Sequence, residues 1–457
     1  MPKKKEAFAS PFVPEEEQPY PIPENWCWTN IESINQYSGL SVDPMKQPDT
    51  IFELYSVPSS ADDYPEIIAG SEIGSSKQSA IKNDVLLCKI NPRINRVWKV
   101  SQHTDNALLA SSEWIIIRNS IINPDYLMLC FRSQYFREFM LSNVSGVGGS
   151  LMRAQPKFVK KYPVPIAPIA EQHRIVTRIE SLFSKLDEAK EKAQAVVDGF
   201  ELRKSAILHK AFIGELTERW RKEHGVGMDS WETKRINEIA KPRAGYAFDS
   251  KKFTNSGYQI IRMGNLYGGE LDLSRNPVFI PLDDVDETAL KRSLVNNGDI
   301  LITLTGTKYK RDYGYAVSII DPINLLVNQR ILCLTPSQDM ERNYILYYLR
   351  SNIFRDVFFS NETGGVNQGN VSSKFVENIE IKVPSYAEQH EIVTILDRIM
   401  TKEQQAKEAA EAVLSQIDTM KKAILTRAFR GELGSNDPVE EWAGEMLKHI
   451  CQSSWDK

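Results

Sequence analysis

An internal duplication constrains this chain more than any other feature of its sequence. The tetrapeptide Ala-Glu-Gln-His at residues 170–173 returns at residues 387–390, so the offset from Ala170 to Ala387 is 217 residues. About half of the positions in 170–216 are identical to their counterparts, with no gap. A repeat this long is too large for a solenoid unit. It predicts two related halves and a pseudo-two-fold molecule.

The repeated segments carry apolar residues spaced by four and three positions. This spacing is typical of a coiled-coil seam, because it keeps one stripe facing a partner helix. Glu403 interrupts the second stripe. The predicted helix-pairing residues are Ile175, Ile179, Leu182, Leu186, Ala189, Ala193 and Val196 in the first copy, and Ile392, Leu396, Ile399, Ala406, Ala410, Val413 and Ile417 in the second.

Each stripe is followed by a glycine, Gly214 or Gly431, where a helix commonly ends. Two long helices are therefore predicted. If the duplication creates a two-fold, they run antiparallel against each other. The alternative is that each helix packs only on its own domain.

Variable globules precede both helical segments, and their short strand-like runs and helical stretches predict mixed α/β (α+β) domains. The predicted organisation is a flexible leader at 1–19, globules at 20–167 and 226–384, long-helix segments at 168–225 and 385–440, and a C-terminal tail at 441–457. The leader contains Lys3-Lys4-Lys5 and is expected to be solvated.

Composition excludes several classes of protein. The five cysteines are scattered without a Cys-x-x-Cys pair, which argues against a zinc site or a disulfide framework and fits a reducing cytosol. No apolar run approaches the length of a membrane span. The formal net charge of −4 is unusual for a protein that would bind nucleic acid alone. Either the basic residues lie on one face, or a partner supplies cationic surface.

No catalytic motif is found. The Asn-Pro dipeptides lack the second proline of an amino-methyltransferase motif, and no P-loop lysine is present. The glycine-rich stretch Gly146-Val147-Gly148-Gly149 is interpreted as a tight turn. No catalytic residue, metal ligand or cofactor site is predicted in this chain.

Basic and polar side chains cluster in several predicted loops. Arginine, asparagine and lysine recognise base edges, and tyrosine can stack or bond a phosphate. For any one residue, a solvated loop position remains the alternative. The DNA-binding candidates are Arg93, Asn95, Arg96, Arg153, Arg243, Tyr246, Arg262, Asn265, Lys308, Tyr309, Lys310 and Arg311.

The arrangement resembles the specificity subunits of type I restriction–modification systems. Each recurring element stands beside a globule: a proline-containing run into Glu171-Gln172 or Glu388-Gln389, and an entry tryptophan at Trp26 or Trp231. The resemblance extends from about residue 20 to about residue 440, with two copies at one offset. Trp220-Arg221 after the first helix has no clear equivalent after the second.

The resemblance implies a function for each part. Each globule would be a target recognition domain that reads one half of a bipartite, asymmetric double-stranded DNA site. The helices would set the half-site spacing and dock two modification (methyltransferase) subunits, and restriction (motor/nuclease) subunits would join them. S-adenosylmethionine would bind the methyltransferase subunit rather than this cytoplasmic chain. The alternatives are a coiled-coil scaffold that binds only proteins, and a fused enzyme with an unrecognised motif.

Overall fold

The structure is a computed structural model that describes residues 10–142, 144–145, 152–365 and 367–455. Residues 1–9 of the predicted leader and the glycine-rich stretch at 146–149 therefore lie outside the described residues. The chain divides into two units. The first contains residues up to 193 and from 412 onward, and the second contains residues 194–411. Each unit therefore combines one predicted globule with a stretch of both long helices.

The first unit contains twelve strands in its described residues. They are β1 (Cys27–Asn30), β2 (Ser41–Val42), β3 (Ile51–Tyr55), β4 (Glu66–Ala69), β5 (Lys77–Ser79), β6 (Val85–Cys88), β7 (Val97–Lys99), β8 (Ala107–Ala110), β9 (Trp114–Ile117), β10 (Val144–Ser145), β11 (Arg153–Ala154) and β12 (Pro163–Ile166). They form a five-stranded sheet in the order β2-β5-β8-β3-β4, a three-stranded sheet β7-β6-β9, and the pairs β1-β12 and β10-β11.

The strands of the second unit repeat part of this plan. They are β13 (Glu232–Arg235), β14 (Ala240–Ala244), β15 (Tyr258–Ile261), β16 (Phe279–Ile280), β17 (Ile300–Thr303), β18 (Thr305–Gly306), β19 (Ala316–Ser318), β20 (Leu325–Val327), β21 (Ile331–Pro336), β22 (Gly369–Asn370) and β23 (Glu380–Val383). The sheets are β14-β21-β17-β19 and β16-β15-β20, with the pairs β13-β23 and β18-β22. The buried strand β17 lies between β21 and β19, as β6 lies between β9 and β7.

Most helices occur in corresponding positions in the two halves. In chain order the helices are α1 (Ile31–Ile34), α2 (Pro124–Arg132), α3 (Gln134–Ser142), α4 (Pro156–Val159), α5 (Ile169–Asp198), α6 (Phe200–Phe212), α7 (Glu218–His224), α8 (Ile236–Ile239), α9 (Glu287–Ser293), α10 (Arg342–Arg350), α11 (Asn352–Ser360), α12 (Ser373–Glu377), α13 (Tyr386–Ala428) and α14 (Ala443–Trp455). Among the described residues, α7, α9 and α14 are the exceptions to this correspondence. Ser133 and Ser351 stand between the paired helices, where each hydroxyl accepts a hydrogen bond from the backbone three residues later.

The two predicted long helices are present, but the first is interrupted. Helix α5 ends at Asp198 and α6 begins at Phe200, with Gly199 between them. The second copy has Gln416 at the equivalent position and continues without a break. Glycine lowers helix stability by about 1 kcal/mol relative to alanine, which makes this position the weakest point of the first helix.

Each recognition globule completes its core with residues of the long helices. In the first unit, Tyr126 and Phe131 share a buried cluster with Ile175 of α5 and Phe429, which follows α13. In the second unit, the corresponding cluster contains residues of four helices. They are Leu208 and Phe212 of α6, Tyr344 of α10, Phe354 of α11, and Ile392 and Leu396 of α13. Burial of such side chains stabilises a fold by about 1.5–3 kcal/mol each. The helices are therefore part of each folded unit.

The C-terminal segment is not a tail. Helix α14 buries Ala443, Leu447 and Ile450 in the core of the first unit. The end of the predicted leader is also packed there, since Val13 is buried and its backbone N–H donates to the Trp28 carbonyl. Spacing of four and three between the buried positions of α14 is the amphipathic pattern that a tail prediction overlooked.

Candidate nucleic-acid interface

Two equivalent loops carry many of the predicted DNA-binding candidates. The first joins β6 to β7, and the second joins β17 to β19. Each contains two non-glycine residues with positive φ: Asn91 (46°) and Asn95 (53°) in the first, Tyr309 (66°) and Arg311 (51°) in the second. Such backbone is uncommon and is found preferentially at functional sites. We call these segments the first and second reading loops, residues 89–96 and 304–315.

The first reading loop presents a cationic edge. Arg93 is exposed and its Nε lies 3.3 Å from the Asn91 Oδ1, while Asn95 donates to the Phe131 carbonyl. Arg153 comes next to this loop through a backbone bridge with Ile90. The Arg153 guanidinium is 3.1 Å from the Glu113 carboxylate and remains half exposed.

The second reading loop presents an aromatic side chain at its tip. Tyr309 is 80% exposed, and the Lys308 ammonium lies 5.1 Å from the centre of its ring. Lys308 also donates to the Gly364 carbonyl at 2.9 Å. Lys310 is exposed, and Arg311 pairs with Asp356 at 2.8 Å. An exposed tyrosine between cations can stack on a base or bond a phosphate.

A repeated pair of arginines holds each reading loop from behind. Arg132 is the last residue of α2, and Arg137 lies in α3. Arg350 and Arg355 have the same spacing, at the end of α10 and within α11. In the first unit, Arg137 donates to the Arg93 carbonyl, and Arg132 donates to the Val97 carbonyl at 2.9 Å. These bonds fix the backbone of the first reading loop where it enters β7.

The second unit repeats the contact. Arg355 donates to the Arg311 carbonyl at 2.8 Å and to the Tyr313 and Gly314 carbonyls at 3.2 Å. Arg350 donates to the Ala316 carbonyl at 3.0 Å. Burial lowers the pKa of Arg350 and Arg355, because a low-dielectric surrounding disfavours the charged form. Guanidinium groups still remain protonated at neutral pH.

Two predicted DNA-binding residues are structural instead. Arg243 lies in β14 rather than in a loop. Its guanidinium pairs with the buried Asp299 carboxylate at 2.5 Å, and only 15% of the side chain is exposed. Asn265 is buried, and its amide donates to the Asp272 and Arg275 carbonyls. Since both side chains are fully engaged inside the domain, the prediction of DNA contact is wrong for them.

Two further candidates lie at or near a polar cleft of the second unit: Arg262 lines the cleft, and Tyr246 lies next to its wall residue Phe248. Arg262 lines this cleft of about 660 Å³ and donates to the Asn276 carbonyl at 2.7 Å. The Tyr246 ring lies below the Arg292 guanidinium, 5.7 Å from its centre, and beside Phe248 at the cleft wall. The sequence analysis missed Arg275 and Arg330 in the same cleft, although Asn328-Gln329-Arg330 is a polar turn between two strands.

Helix segments pair antiparallel within each unit. In the first unit, Asp187 of α5 lies 2.6 Å from Lys421 of α13, and Arg174 lies 2.7 Å from Glu440. In the second unit, Arg203 of α6 lies 2.7 Å from Glu403 of α13. The Lys407 ammonium of α13 lies 4.9 Å from the centre of the Phe200 ring of α6. The partner number falls as the first number rises, which is the signature of antiparallel segments.

The predicted pairing residues do not all face the partner helix. Those buried are Ile175, Ile179, Ala193, Ile392, Leu396, Ala410 and Ile417, and those partly buried are Leu182, Leu186, Ala189, Val196 and Ile399. Ala406 and Val413 are exposed, so the prediction is wrong for these two. The less exposed side of α13 instead passes through Glu403, Lys407 and Leu414, because the ion pair with Arg203 takes the place of an apolar contact.

The repeated Glu-Gln pair connects each long helix to its globule. The Trp26 Nε1 donates to Glu171 at 2.8 Å, and the Trp231 Nε1 donates to Glu388 at 3.0 Å. Gln172 accepts a hydrogen bond from the Asn123 backbone N–H and donates to the Ala167 carbonyl. Gln389 makes the same two contacts, with the Glu341 N–H and the Pro384 carbonyl.

The two tryptophan–glutamate contacts differ in charge. Arg221 of α7 pairs with Glu388 at 2.7 Å, and both side chains are buried. Glu171 instead accepts a hydrogen bond from Ser435, and burial raises its pKa. The segment that begins with Trp220-Arg221, which has no counterpart in the sequence after the second helix, therefore supplies the counter-ion for one copy only.

Comparison with known proteins identifies the duplicated architecture. A model of the type I restriction modification DNA specificity domain matches residues 228–412. The EcoAI specificity subunit of Escherichia coli is 21% identical over 476 residues, covering 85% of this chain and 80% of that protein. The EcoKI specificity subunit of Escherichia coli K12 is 23% identical over 309 residues, covering 65% of this chain and 62% of that protein.

The chain is thus similar to the specificity subunits of type I restriction enzymes, and its residues 228–412 match their DNA specificity domain. It has the fold of the HsdS subunit from Thermoanaerobacter tengcongensis, with a TM-score of 0.69 and 21% identity over 91% of this chain and 100% of that one. Its alignments cover 62% and 60% of the EcoKI and EcoBI specificity subunits of Escherichia coli. The expected class, mixed α/β domains with long antiparallel helices, is confirmed.

The described residues meet the requirements of neither a metal site nor a membrane-spanning helix. No three His, Cys, Asp or Glu side chains among them come together as a metal site. None of the helices they form is both long and apolar enough to cross a membrane.

Proposed function

We propose that this chain recognises a bipartite, asymmetric sequence in double-stranded DNA, one half with each unit. The observation that carries the proposal is the pair of equivalent reading loops. The Arg137–Arg93 and Arg355–Arg311 contacts hold the two loops at corresponding places. The loops themselves differ in sequence, so they would recognise different bases. Direct readout requires such differences in donors, acceptors and stacking groups at matched positions.

The long helices would act as the spacer between half-sites. Their antiparallel segments are joined within each unit by ion pairs and by the shared cores. A spacer of this kind fixes the distance between two readers on the same DNA. We further propose that exposed faces of these helices dock two methyltransferase subunits, and that restriction subunits join that complex.

The chain itself would be non-catalytic. S-adenosylmethionine would bind the methyltransferase subunits, which would supply the methyl-transfer chemistry and additional cationic surface along the DNA. This division of labour accommodates the net charge of −4, because this chain need not neutralise the DNA alone.

Footprinting with the assembled methyltransferase complex tests the proposal. The expected result is protection of two short tracts separated by an unspecified interval in one DNA sequence, and no protection of shuffled DNA. A coiled-coil scaffold that binds only proteins would give no sequence-selective protection. Methyl transfer by the isolated chain would instead support a fused enzyme.

A further inference from the structure

A cationic pocket lies between the first reading loop and the long helix α13 in the first unit. Its volume is about 340 Å³, which is room for a phosphate group with several waters at about 30 Å³ each. Its charged lining residues are Arg96, Arg132, Arg137 and Lys422. Among the described residues, no carboxylate lines it. We call it the first pocket.

One lining group has unused hydrogen-bonding capacity. The Arg137 Nε is buried and has no hydrogen-bond partner in the described part of the chain. Arg132 is exposed to the pocket, and partial desolvation lowers the pKa of its guanidinium, while Asp63 and Asp125 oppose that effect. A buried donor without a partner costs about 1–3 kcal/mol, more when it is charged, and an anion would remove that cost.

The second unit has an equivalent pocket with a smaller excess of positive charge. Arg350 and Arg355 stand where the first pocket has Arg132 and Arg137, and Ser205 stands where it has Lys422. Lys204 and the two carboxylates Glu201 and Glu270 also line this second pocket. The Arg355 guanidinium is occupied by three carbonyls of the second reading loop. The second pocket therefore keeps its arginines for holding the loop, but two carboxylates offset most of its positive charge.

We propose that the first pocket binds a backbone phosphate of the DNA, next to the half-site read by the first unit, and that the second pocket does not. Ile94, Asn95 and Arg96 of the first reading loop line the same pocket. A phosphate held there would fix the register of this loop on the duplex, since phosphate contacts position a protein and base contacts give it specificity. The inference rests on the proposed function.

The test exchanges the residues at one equivalent position of the two pockets, which removes the Lys422 charge from the first pocket. Lys422→Ser places in the first pocket the residue found in the second, at an exposed helical position. Lys190→Ser, at an exposed position of α5, is the matched control for lost charge and helix propensity. Ser205→Lys is the reciprocal change. DNA affinity of the assembled complex is measured across a range of salt concentrations.

We expect Lys422→Ser to weaken binding to specific and unrelated DNA alike, and to reduce the slope of log affinity against log salt by about 0.9 relative to Lys190→Ser. Ser205→Lys is expected to change both quantities much less than Lys422→Ser does, because Glu201 and Glu270 keep the positive charge of the second pocket low. Equal behaviour of Lys422→Ser and Lys190→Ser would overturn the proposal.

Scanning the duplex with single neutral methylphosphonate linkages locates the phosphate. One linkage beside the first half-site should weaken binding by the wild-type complex and have no further effect on Lys422→Ser. If inorganic phosphate binds the wild-type chain but not Lys422→Ser, and no linkage has this position-specific effect, the pocket is a small-anion site and the proposal is wrong. If the wild-type complex itself shows no sequence-selective DNA binding, the proposed function is wrong instead.

Discussion

Arg203 donates to the Glu403 carboxylate across 2.7 Å, and the same guanidinium donates to the Val196 carbonyl at 2.9 Å. Glu403 interrupts the apolar stripe of the second helix, and Gly199 separates α5 from α6 close to Arg203. The two irregularities are thus parts of one local arrangement. An ion pair holds the helix segments together where the apolar seam is missing.

The Arg203–Glu403 pair should contribute little net stability. Both side chains are partly exposed, and pairs of this kind are worth about 0–1 kcal/mol. We expect Glu403→Ala to change the free energy of unfolding by less than about 1 kcal/mol. Urea unfolding of the single variants and of Arg203→Ala/Glu403→Ala checks this through a double-mutant cycle. A coupling above about 2 kcal/mol would show that the pair is a principal fastening of the helices.

The buried Arg221–Glu388 pair should behave differently. Removing one partner of a buried pair leaves an uncompensated charge, which costs about 3–5 kcal/mol. Arg221→Ala should therefore lower the free energy of unfolding by about that amount, measured by urea unfolding. Ser435→Ala, which removes only a neutral partner of Glu171, is the matched control, and we expect a cost of about 1 kcal/mol. Similar costs for the two variants would contradict this account of the asymmetry.

The carboxylate of Glu171 should make stability depend on pH in the acidic range. Burial raises its pKa above the ordinary value of 4.5, so the folded state binds its proton more tightly than the unfolded state. This contribution is fully present below the unfolded pKa and is lost as the pH rises through the raised folded pKa. We expect Glu171→Gln to remove the contribution.

The measurement is the difference in free energy of unfolding between the wild type and Glu171→Gln at a series of pH values. The wild type should lose stability relative to the variant as the pH rises from about 4 through the acidic range. Ala170→Gly, next to Glu171 on α5, is a control without a titrating group and should differ from the wild type by a constant amount. A wild type that gains relative stability over that interval would show that its folded pKa is lowered.

Arg355 should control recognition by the second unit alone. Its guanidinium reaches three carbonyls of the second reading loop, whose backbone includes Tyr309 and Arg311 at positive φ. Arg355→Ala should let that loop relax and weaken selective DNA binding by about tenfold, equivalent to about 1.4 kcal/mol. Footprinting should show the loss at one half-site only.

Arg398→Ala, which removes an exposed arginine from α13, is the control for the lost charge. Arg355→Lys keeps the charge but cannot reproduce the fork of donors, so we expect only partial rescue. An equal loss at both half-sites would mean that Arg355 acts through overall stability and not through its loop.

The features that repeat at one offset could be predicted from the sequence. Spacing by four and three identified the helices, and the paired Glu171 and Glu388 turned out to make the same tryptophan contact in each copy. Repetition is informative because two copies that make the same contact keep the same residue types at equivalent positions. Fold class and family followed from the same pattern.

Features that depend on tertiary contact could not be read in the same way. Arg243 and Asn265 look like loop residues by composition, but a buried carboxylate and two backbone carbonyls take up their donors. Ala406 fits the apolar spacing but is exposed, because the ion pair between Glu403 and Arg203 turns a different side of the helix toward its partner. Conversely, Arg137 and Arg355 are a visible repeat in the sequence. Their role in holding the reading loops could not be predicted, because their hydrogen-bond partners are backbone carbonyls.

Exchanging one globule tests the central claim most directly. Residues 20–167 are replaced by the corresponding globule of a specificity subunit, keeping the core residues Trp26 and Tyr126 that pack against the helices. The methylated positions in DNA modified by the assembled complex are then sequenced. We predict that one half of the recognised sequence changes while the other half and the spacer length stay the same. A change in both halves would contradict the claim that each unit reads its own half-site.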